Sequence, residues 1–511
     1  MLEVARLRRA AGLDRIAVDV AAALNLVGAV LAYLSAGFLF PTAVALGYGE
    51  SPWPFLGAGA VTAGAGLALT WLTQGRERVG VREGFLVVAL TWLVVPVFGA
   101  LPYLFADEQQ LSRPVDAFFE SMSGFTATGA TALTDIEALN HSLAMWRQFT
   151  QWLGGMGIII LAVAILPRLR IGGRELLHSE LAGPEVERLS ETIRETARRL
   201  WVLYIGLTLA AVAVLTFWGW LGVDDAMSFY EATAHAFSTV SIGGFSTQND
   251  SLGAFGAVTQ WTVLVFIVIA GINFLRLYRV VVQRKVQVVV HDDEFRLYLV
   301  FIVAGSGLLL AGVLADGLFS GEAAVRNAVF QAVSIMTTTG FATVDYTEWG
   351  PLAALTLLVL MFVGASAGST GGSIKVVRHL LMFRIIRREL EQTVHREAVV
   401  PVRLSGGIVD EGPLRGVVTF IVLYIGLFAL GGLGLVVDAK RVATEVGAFD
   451  ALGAAAACLG NVGPGFGFAG PFGSYESFSD LSTGVLTGLM WLGRLEIIPV
   501  AVLVTRSYWR A

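Results

Sequence analysis

Ten stretches of this chain are long and apolar enough to cross a bilayer, which fixes the class of fold before any motif is read. They lie near residues 16–46, 53–72, 83–105, 143–166, 200–221, 258–277, 296–318, 352–383, 414–437 and 481–504. A helix needs about 20 mostly apolar residues to span a hydrocarbon core. Only 15% of the 511 residues are charged and the mean hydropathy is +0.71, whereas soluble domains carry about 25% charge. Such a chain lacks the polar surface to face water on all sides, so its surroundings are the lipid bilayer. A formal charge of −5 gives no general basic face for nucleic acid. The single cysteine, Cys458, excludes an internal disulfide framework and any all-cysteine metal cluster.

Charge fixes the orientation. One set of loops carries nearly all of the 35 basic residues: Arg6, Arg8, Arg9 and Arg15, then Arg76, Arg78 and Arg82, then dense groups at 168–199, 276–296 and 375–415, and last Arg506 and Arg510. The opposite set holds only Arg113, Arg147, Arg326, Lys440 and Arg441, and Arg494 alone falls inside an apolar run. The positive-inside rule places the basic set, and with it both termini, in the cytoplasm. Run 16–46 begins like a signal peptide, but it exceeds the roughly 7–15 residues of a signal core and no cleavage site follows, so it reads as a retained span.

The outer connections after the first hairpin share one design. Each holds a moderately apolar segment too short to span, followed by a small-residue strip. The strips centre on Ala127-Thr128-Gly129, Ser241-Ile242-Gly243, Thr338-Thr339-Gly340 and Asn461-Val462-Gly463. A recurring unit means recurring architecture, and the unit here is span, half-helix, strip, span. Non-helical backbone at membrane depth is tolerated only where protein buries it or it lines a wet cavity. Four copies around one axis meet that condition, because their carbonyls converge on a cation and replace its water shell. Glycine supplies the backbone angles and the close approach. The C-terminal end of each half-helix adds partial negative charge towards the centre. Taken singly, each strip also reads as a flexible Gly/Ser/Thr loop.

Two further features lie inside apolar runs. Run 352–383 is interrupted by a segment, residues 364–373, that contains Gly364, Gly368, Gly371 and Gly372. Each glycine costs a helix about 1 kcal/mol relative to alanine, so the segment reads as unwound and facing a conduit; a small-residue packing face is the alternative. Lys375 follows it, within reach of its carbonyls or simply an inner-face lysine. Arg494 is an intramembrane charge, costing at least about 2.5–3.5 kcal/mol on insertion scales. It needs a cavity and a partner, unless it snorkels to the inner surface. Its neighbour Glu496 is two residues away and does not share its helix face. Acids near the outer mouth, among them Asp107, Asp116, Glu120, Asp224, Glu231 and Asp450, are expected to be a largely solvated face that focuses cations.

With these residues in view, the sequence resembles the Trk/Ktr/HKT superfamily of potassium transporters, most closely its TrkH type. The resemblance covers nearly the whole chain, residues 83–505 matching the fourfold pore repeat. It implies a pore built within one chain, a homodimer of such chains and a cytosolic nucleotide-binding ring partner of the TrkA type. It matches the family's filter glycines to Gly129, Gly243, Gly340 and Gly463, and glycine rather than serine at the first of these implies potassium. It also implies that loop 364–373 obstructs the pore below the filter, with Arg494 in contact as a positive barrier. Ala127 departs from the family's frequent threonine, and Asn461-Val462 departs from a threonine pair.

The expected fold is an all-α polytopic membrane protein of ten transmembrane helices, eight of them in four span–re-entrant loop–span repeats around one central pore. Residues 1–80 form an N-terminal hairpin; the repeats occupy 81–170, 171–288, 289–398 and 399–511. The expected function is potassium uptake through a carbonyl-lined filter at a bacterial inner membrane, with potassium as cargo, no organic cofactor and no catalytic role. A symporter driven by protons or sodium is the alternative, with Glu496 as the acid for proton coupling; such folds favour twofold repeats. A hydrolase built on Ser366 lacks the strand-to-helix turn that a nucleophile elbow requires.

Overall fold

The computed structural model of the chain describes residues 18–75, 80–106, 108–157, 193–443 and 445–510. Arg6, Arg8, Arg9, Arg15, Arg76, Arg78, the arginines of the 168–188 stretch, Asp107 and the end of the fourth apolar run lie outside the described residues.

A helical hairpin opens the described residues. Helix α1 (Val20–Gly37) continues into α2 (Leu39–Tyr48), turns at Gly49 with φ +70°, and returns as α3 (Trp53–Leu72). The crossing is tight because small residues face each other: a methyl on Gly66 would lie 2.6 Å from the Ala32 amide nitrogen. Small-residue contacts of this kind hold helices together where lipid removes the hydrophobic drive. Asn25 adds a polar tie, its Nδ2 donating to Thr70 O at 3.1 Å and Thr73 Oγ1 at 3.0 Å.

Long helices follow: α4 (Val81–Gly99), prolonged by α5 (Leu101–Phe105), then α8 (Ile193–Trp220), α12 (Asp293–Ala315) and α16 (Glu411–Val442). Their outward faces are apolar and exposed, as at Leu209, Val303 and Leu430, which suits lipid rather than water. Four shorter helices alternate with them: α6 (Pro114–Phe125), α9 (Phe229–Ser241), α13 (Gly321–Met336) and α17 (Ala448–Gly460). None reaches spanning length. Each begins at an outer loop and each ends in one of the four strips.

Three of the helices that follow the strips are broken, and only the break within run 352–383 is foreshadowed by its glycines. Helix α10 (Ala257–Ala270) meets α11 (Phe274–Val281) at 107°, and α18 (Asp480–Arg494) meets α19 (Ile498–Val504) at 113°. Run 352–383 divides into α14 (Pro351–Leu360) and α15 (Val376–Val394), with residues 361–375 outside any helix. Helix α7 (His141–Gly155) ends where description stops shortly after. The fold is thus a polytopic all-α one with bent and re-entrant helix pairs, set against an expectation of ten spans. Among the described residues six helices suffice to cross a membrane, or eight when each bent pair counts once. The breaks have local causes: the Asn273 side chain caps α11 by accepting from Leu275 N and Arg276 N, and Glu496 and Ile497 both adopt positive φ.

Packing carries the short helices round a circle. Helix α6 lies against α18, α9 against α7, and α13 against α10. The strips at their ends are thereby delivered to one place.

Candidate ion-conduction site

Each short helix terminates in the same hydrogen-bonded turn. Ala127, Ile242, Thr338 and Asn461 turn left-handed, with φ of 51°, 55°, 65° and 54°. The next amide in each strip donates back across the helix end at 2.8 Å: Thr128 to Ser123 O, Gly243 to Ser238 O, Thr339 to Ser334 O and Val462 to Ala457 O. The residue after that has positive φ and is glycine in every strip: Gly129, Gly244, Gly340 and Gly463. This fixes the register and corrects the second strip by one residue. The glycine at the common level is Gly244, not Gly243. Gly243 stands at the level of Thr128, and Ser241 is the last residue of α9 rather than the first of the strip. The sequence held a signal for this, since Gly244-Phe245 repeats Gly340-Phe341.

The four strips close on one another. A methyl on Gly129 would lie 2.4 Å from Gly243 O; one on Gly244, 1.9 Å from Thr339 O; one on Gly340, 2.1 Å from Val462 O; one on Gly463, 2.6 Å from Thr128 O. Strip one touches two, two touches three, three touches four, and four touches one. The four oxygens belong to equivalent residues. A side chain at any of these glycines would collide with backbone, and left-handed φ disfavours one in any case.

A rigid polar shell holds the ring from behind. Arg147 and Glu120, both fully buried, pair at 2.7 Å. Glu120 also accepts from Thr131 Oγ1 and Ala132 N of the first strip's extension, while Arg147 donates to Ser246 O of the second and lies 4.1 Å over Phe245. Gln151 Nε2 donates to Gly243 O at 2.6 Å, and its oxygen accepts from Phe245 N at 3.0 Å. Tyr475 OH donates to Gly463 O at 2.8 Å, and Tyr346 OH donates to Gly465 O at 3.1 Å. Asn461 explains its own departure from threonine: asparagine tolerates the left-handed turn, and its Nδ2 donates to Thr128 Oγ1 and Met490 O, both at 3.0 Å.

Several groups therefore lie elsewhere than expected. Arg147 is no outer-loop cation and Glu120 no mouth acid; they form one buried pair. Asp116 is buried and paired with Arg113, and Asp224 accepts from Gly256 N and Thr259 Oγ1. Opposite charges on α6 and α7 were visible in the sequence, but nothing in their spacing announced the pairing. Gln151 and the two tyrosines carried no legible signal.

Loop 364–373 lies across the C-terminal ends of the short helices. Gly372 N donates to Thr338 Oγ1 at 2.7 Å, and Thr370 Oγ1 donates to Val240 O at 3.3 Å. A methyl on Gly371 would lie 2.8 Å from Thr337 O, and one on Gly372 2.4 Å from Gly460 O. Gly364 N closes the loop's base on Ile374 O at 2.9 Å, and Gly368 adopts φ +71°. Lys375 Nζ bonds Gly371 O. Arg494 reaches the loop from α18, donating to Thr370 O and to Gly154 O, each at 2.8 Å. Glu496 pairs not with Arg494 but with Arg378, whose guanidinium lies 3.9 Å from the Phe420 ring.

Fold and site together define a polytopic membrane protein with re-entrant helix ends gathered round a shared axis, the class built to move ions. The comparisons identify which kind. Residues 55–510 match the TrkH family, described as a cation transport protein. The chain is 38% identical over 502 residues to the Trk system potassium uptake protein TrkH of Vibrio parahaemolyticus, covering 96% of this chain and 99% of that one. It is 35% identical over 495 residues to TrkH of Escherichia coli K12, covering 95% and 98%. The crystal structure of the potassium transporter TrkH from Vibrio parahaemolyticus superposes with a TM-score of 0.84 at 34% identity, covering 96% of this chain and 100% of that one. The chain belongs to the TrkH family of cation transport proteins. It is a multi-pass inner-membrane protein, like its bacterial relatives, and a transporter rather than an enzyme.

Proposed function

We propose that the chain takes up potassium through the ring formed by Thr128, Gly243, Thr339 and Val462, whose carbonyl oxygens replace the ion's hydration shell. The observation that carries this reading is the closed circuit in which each of these oxygens fills the space beside a glycine of the neighbouring strip. The helix ends at Phe125, Ser241, Met336 and Gly460 add partial negative charge towards the same axis. The filter comprises Ala127, Thr128 and Gly129; Ile242 and Gly243, extended to Gly244 and flanked by Ser241; Thr338, Thr339 and Gly340; and Asn461, Val462 and Gly463. Potassium is cargo, and its relatives carry potassium uptake in their names.

Loop 364–373 is the obstruction below that ring, held by Lys375 and Arg494, and the positive charge of Arg494 opposes cation passage while the loop is in place. Each repeat, at 81–170, 171–288, 289–398 and 399–511, supplies one quarter of the pore, and residues 1–80 brace it. A homodimer with a TrkA-type nucleotide-binding ring on the cytosolic face completes the gated assembly.

Rubidium uptake into proteoliposomes at clamped voltage, with sodium competition and an imposed pH gradient, tests the reading. Uptake that follows voltage and resists sodium supports it. Uptake that follows the proton gradient, or none above empty vesicles, overturns it.

A further inference from the structure

The obstructing loop is tied on one side by Arg494, and the opposite side is held by a cluster with no part in the filter. Glu294, in the first turn of α12, is buried and its Oε1 accepts from Ala367 N at 2.6 Å. Asn273, at the bend between α10 and α11, is also buried and its Nδ2 donates to Ala367 O at 2.6 Å. The same bend exchanges main-chain bonds with the loop: Ser366 N donates to Gly271 O at 3.0 Å and Phe274 N to Gly368 O at 3.1 Å. Both polar atoms of the Ala367 backbone are thus taken by side chains from other elements. A carboxylate acceptor makes the amide bond a strong one.

This clamp does not stop at the loop. Arg276, in the first turn of α11, bridges Glu294 Oε2 at 3.2 Å and Asp292. Asp292 Oδ1 accepts from Ser405 Oγ at 3.1 Å, and Asp293 Oδ2 accepts from Ser405 N at 3.0 Å and from Arg384 at 2.9 Å. Ser405 sits at the tip of a two-stranded hairpin, Arg403–Leu404 paired with Gly407–Ile408, between α15 and α16. Ser405 has φ +46° and Gly406 φ +88°, so the tip has a fixed shape. The flanking arginines put this hairpin on the inner, basic side of the protein. An unbroken series of polar contacts therefore runs from an inner-surface hairpin to the backbone of the loop beneath the filter.

We propose that Glu294 and Asn273 are gate-positioning residues, a latch that holds loop 364–373 under the ring, and that the Ser405 hairpin is the inner-surface lever that sets the latch through Asp292 and Arg276. This rests on the conduction reading above and names the regulation of that same site. A partner that displaces the hairpin pulls Asp292 and Arg276 with it, leaves Glu294 without its counter-charge and frees the Ala367 amide.

The test uses the full-length chain in proteoliposomes without any partner, comparing rubidium uptake of the parent with Glu294→Gln, Asn273→Ala, Ser405→Ala and the double variant Ser405→Ala with Glu294→Gln. Glu294→Gln keeps a neutral oxygen for the Ala367 amide but loses the charge that strengthens that bond and holds Arg276. A charged acceptor is worth up to roughly tenfold over a neutral one, so basal uptake is expected to rise several-fold, to about tenfold at most. Ser405→Ala should raise it less, and its effect should vanish in the Glu294→Gln background, because both act through one latch. Sodium competition should not change, since the filter is untouched. Hydrogen exchange of folded protein in detergent gives a readout independent of flux: the amides of 364–375 should exchange faster in Glu294→Gln while those of the strips keep their protection. Unchanged uptake with unchanged loop exchange overturns the latch while leaving conduction by the parent intact. An undiminished Ser405→Ala effect in the double variant overturns the lever. Absence of rubidium uptake from the parent and from every latch variant overturns both the latch and the conduction reading.

Discussion

At Gly340 a methyl group has nowhere to go: the Val462 oxygen would lie 2.1 Å away, and the backbone already sits at φ +84°. The left-handed turn alone costs a side chain about 1–2 kcal/mol, and the collision is with backbone that another strip holds fixed. Gly340→Ala should therefore abolish discrimination between rubidium and sodium before it abolishes folding, read as the loss of sodium resistance in the uptake assay. The second strip offers a sharper contrast. A methyl on Gly244 meets the Thr339 carbonyl, whereas one on Gly243 meets the Gln151 side chain. Gly244→Ala should damage selectivity more than Gly243→Ala, and the reverse order would contradict the register. Behind the ring, removing one member of the buried Glu120–Arg147 pair leaves an unpaired charge at a cost of about 3–5 kcal/mol. Glu120→Ala should lower the unfolding temperature in detergent sharply, and an unchanged temperature would show that the pair does not brace the strips. The small-residue strips were legible because the same short pattern recurs after each segment too short to span. The exact register was not, because two adjacent glycines fit one pattern equally well without the helix end that fixes the count.

Helices impose their own limits on what a sequence shows. Hydropathy measures length and apolarity, so it found the unbroken α8, α12 and α16 closely. It ran straight through the bends at Gly271–Asn273 and at Glu496-Ile497, where direction changes and hydropathy does not. Only the glycine cluster of 364–373 declared its break in advance. The loop's tie to α18 predicts that Arg494→Ala raises rubidium uptake, since it removes both the bond to Thr370 and a positive charge beside the route. Unchanged uptake would count against the barrier. The N-terminal hairpin is fastened by a different device. Glu50, at its tip, accepts from His141 N at 2.8 Å and Ser142 N at 2.9 Å and so caps α7. Burial pushes the Glu50 carboxyl up, but the bonds from Ser142 and His141 outweigh it and hold its pKa below the ordinary 4.5. The cap is therefore at full strength above pH 4.5 and is lost as pH falls through the depressed folded-state value. Exchange at the His141 and Ser142 amides, corrected for intrinsic rate, should lose protection on acidification, and Glu50→Gln should blunt that pH dependence.

Across the whole molecule, four dissimilar sequences converge on one geometry because the bilayer leaves few others. A chain that brings unpaired carbonyls to membrane depth must surround them with protein or with a passing ion, and a circle of re-entrant ends accomplishes both. The loop at the ends of the short helices is tethered from α18 on one side and from α12 and the α10–α11 bend on the other. Rubidium anomalous scattering from crystals of the protein shows whether the four carbonyl oxygens bind a dehydrated cation. A peak is expected on the axis enclosed by the Thr128, Gly243, Thr339 and Val462 oxygens, weakened by potassium in excess but not by sodium. Rubidium bound only away from that axis, or a ring that stays unoccupied at concentrations supporting uptake, would contradict that binding.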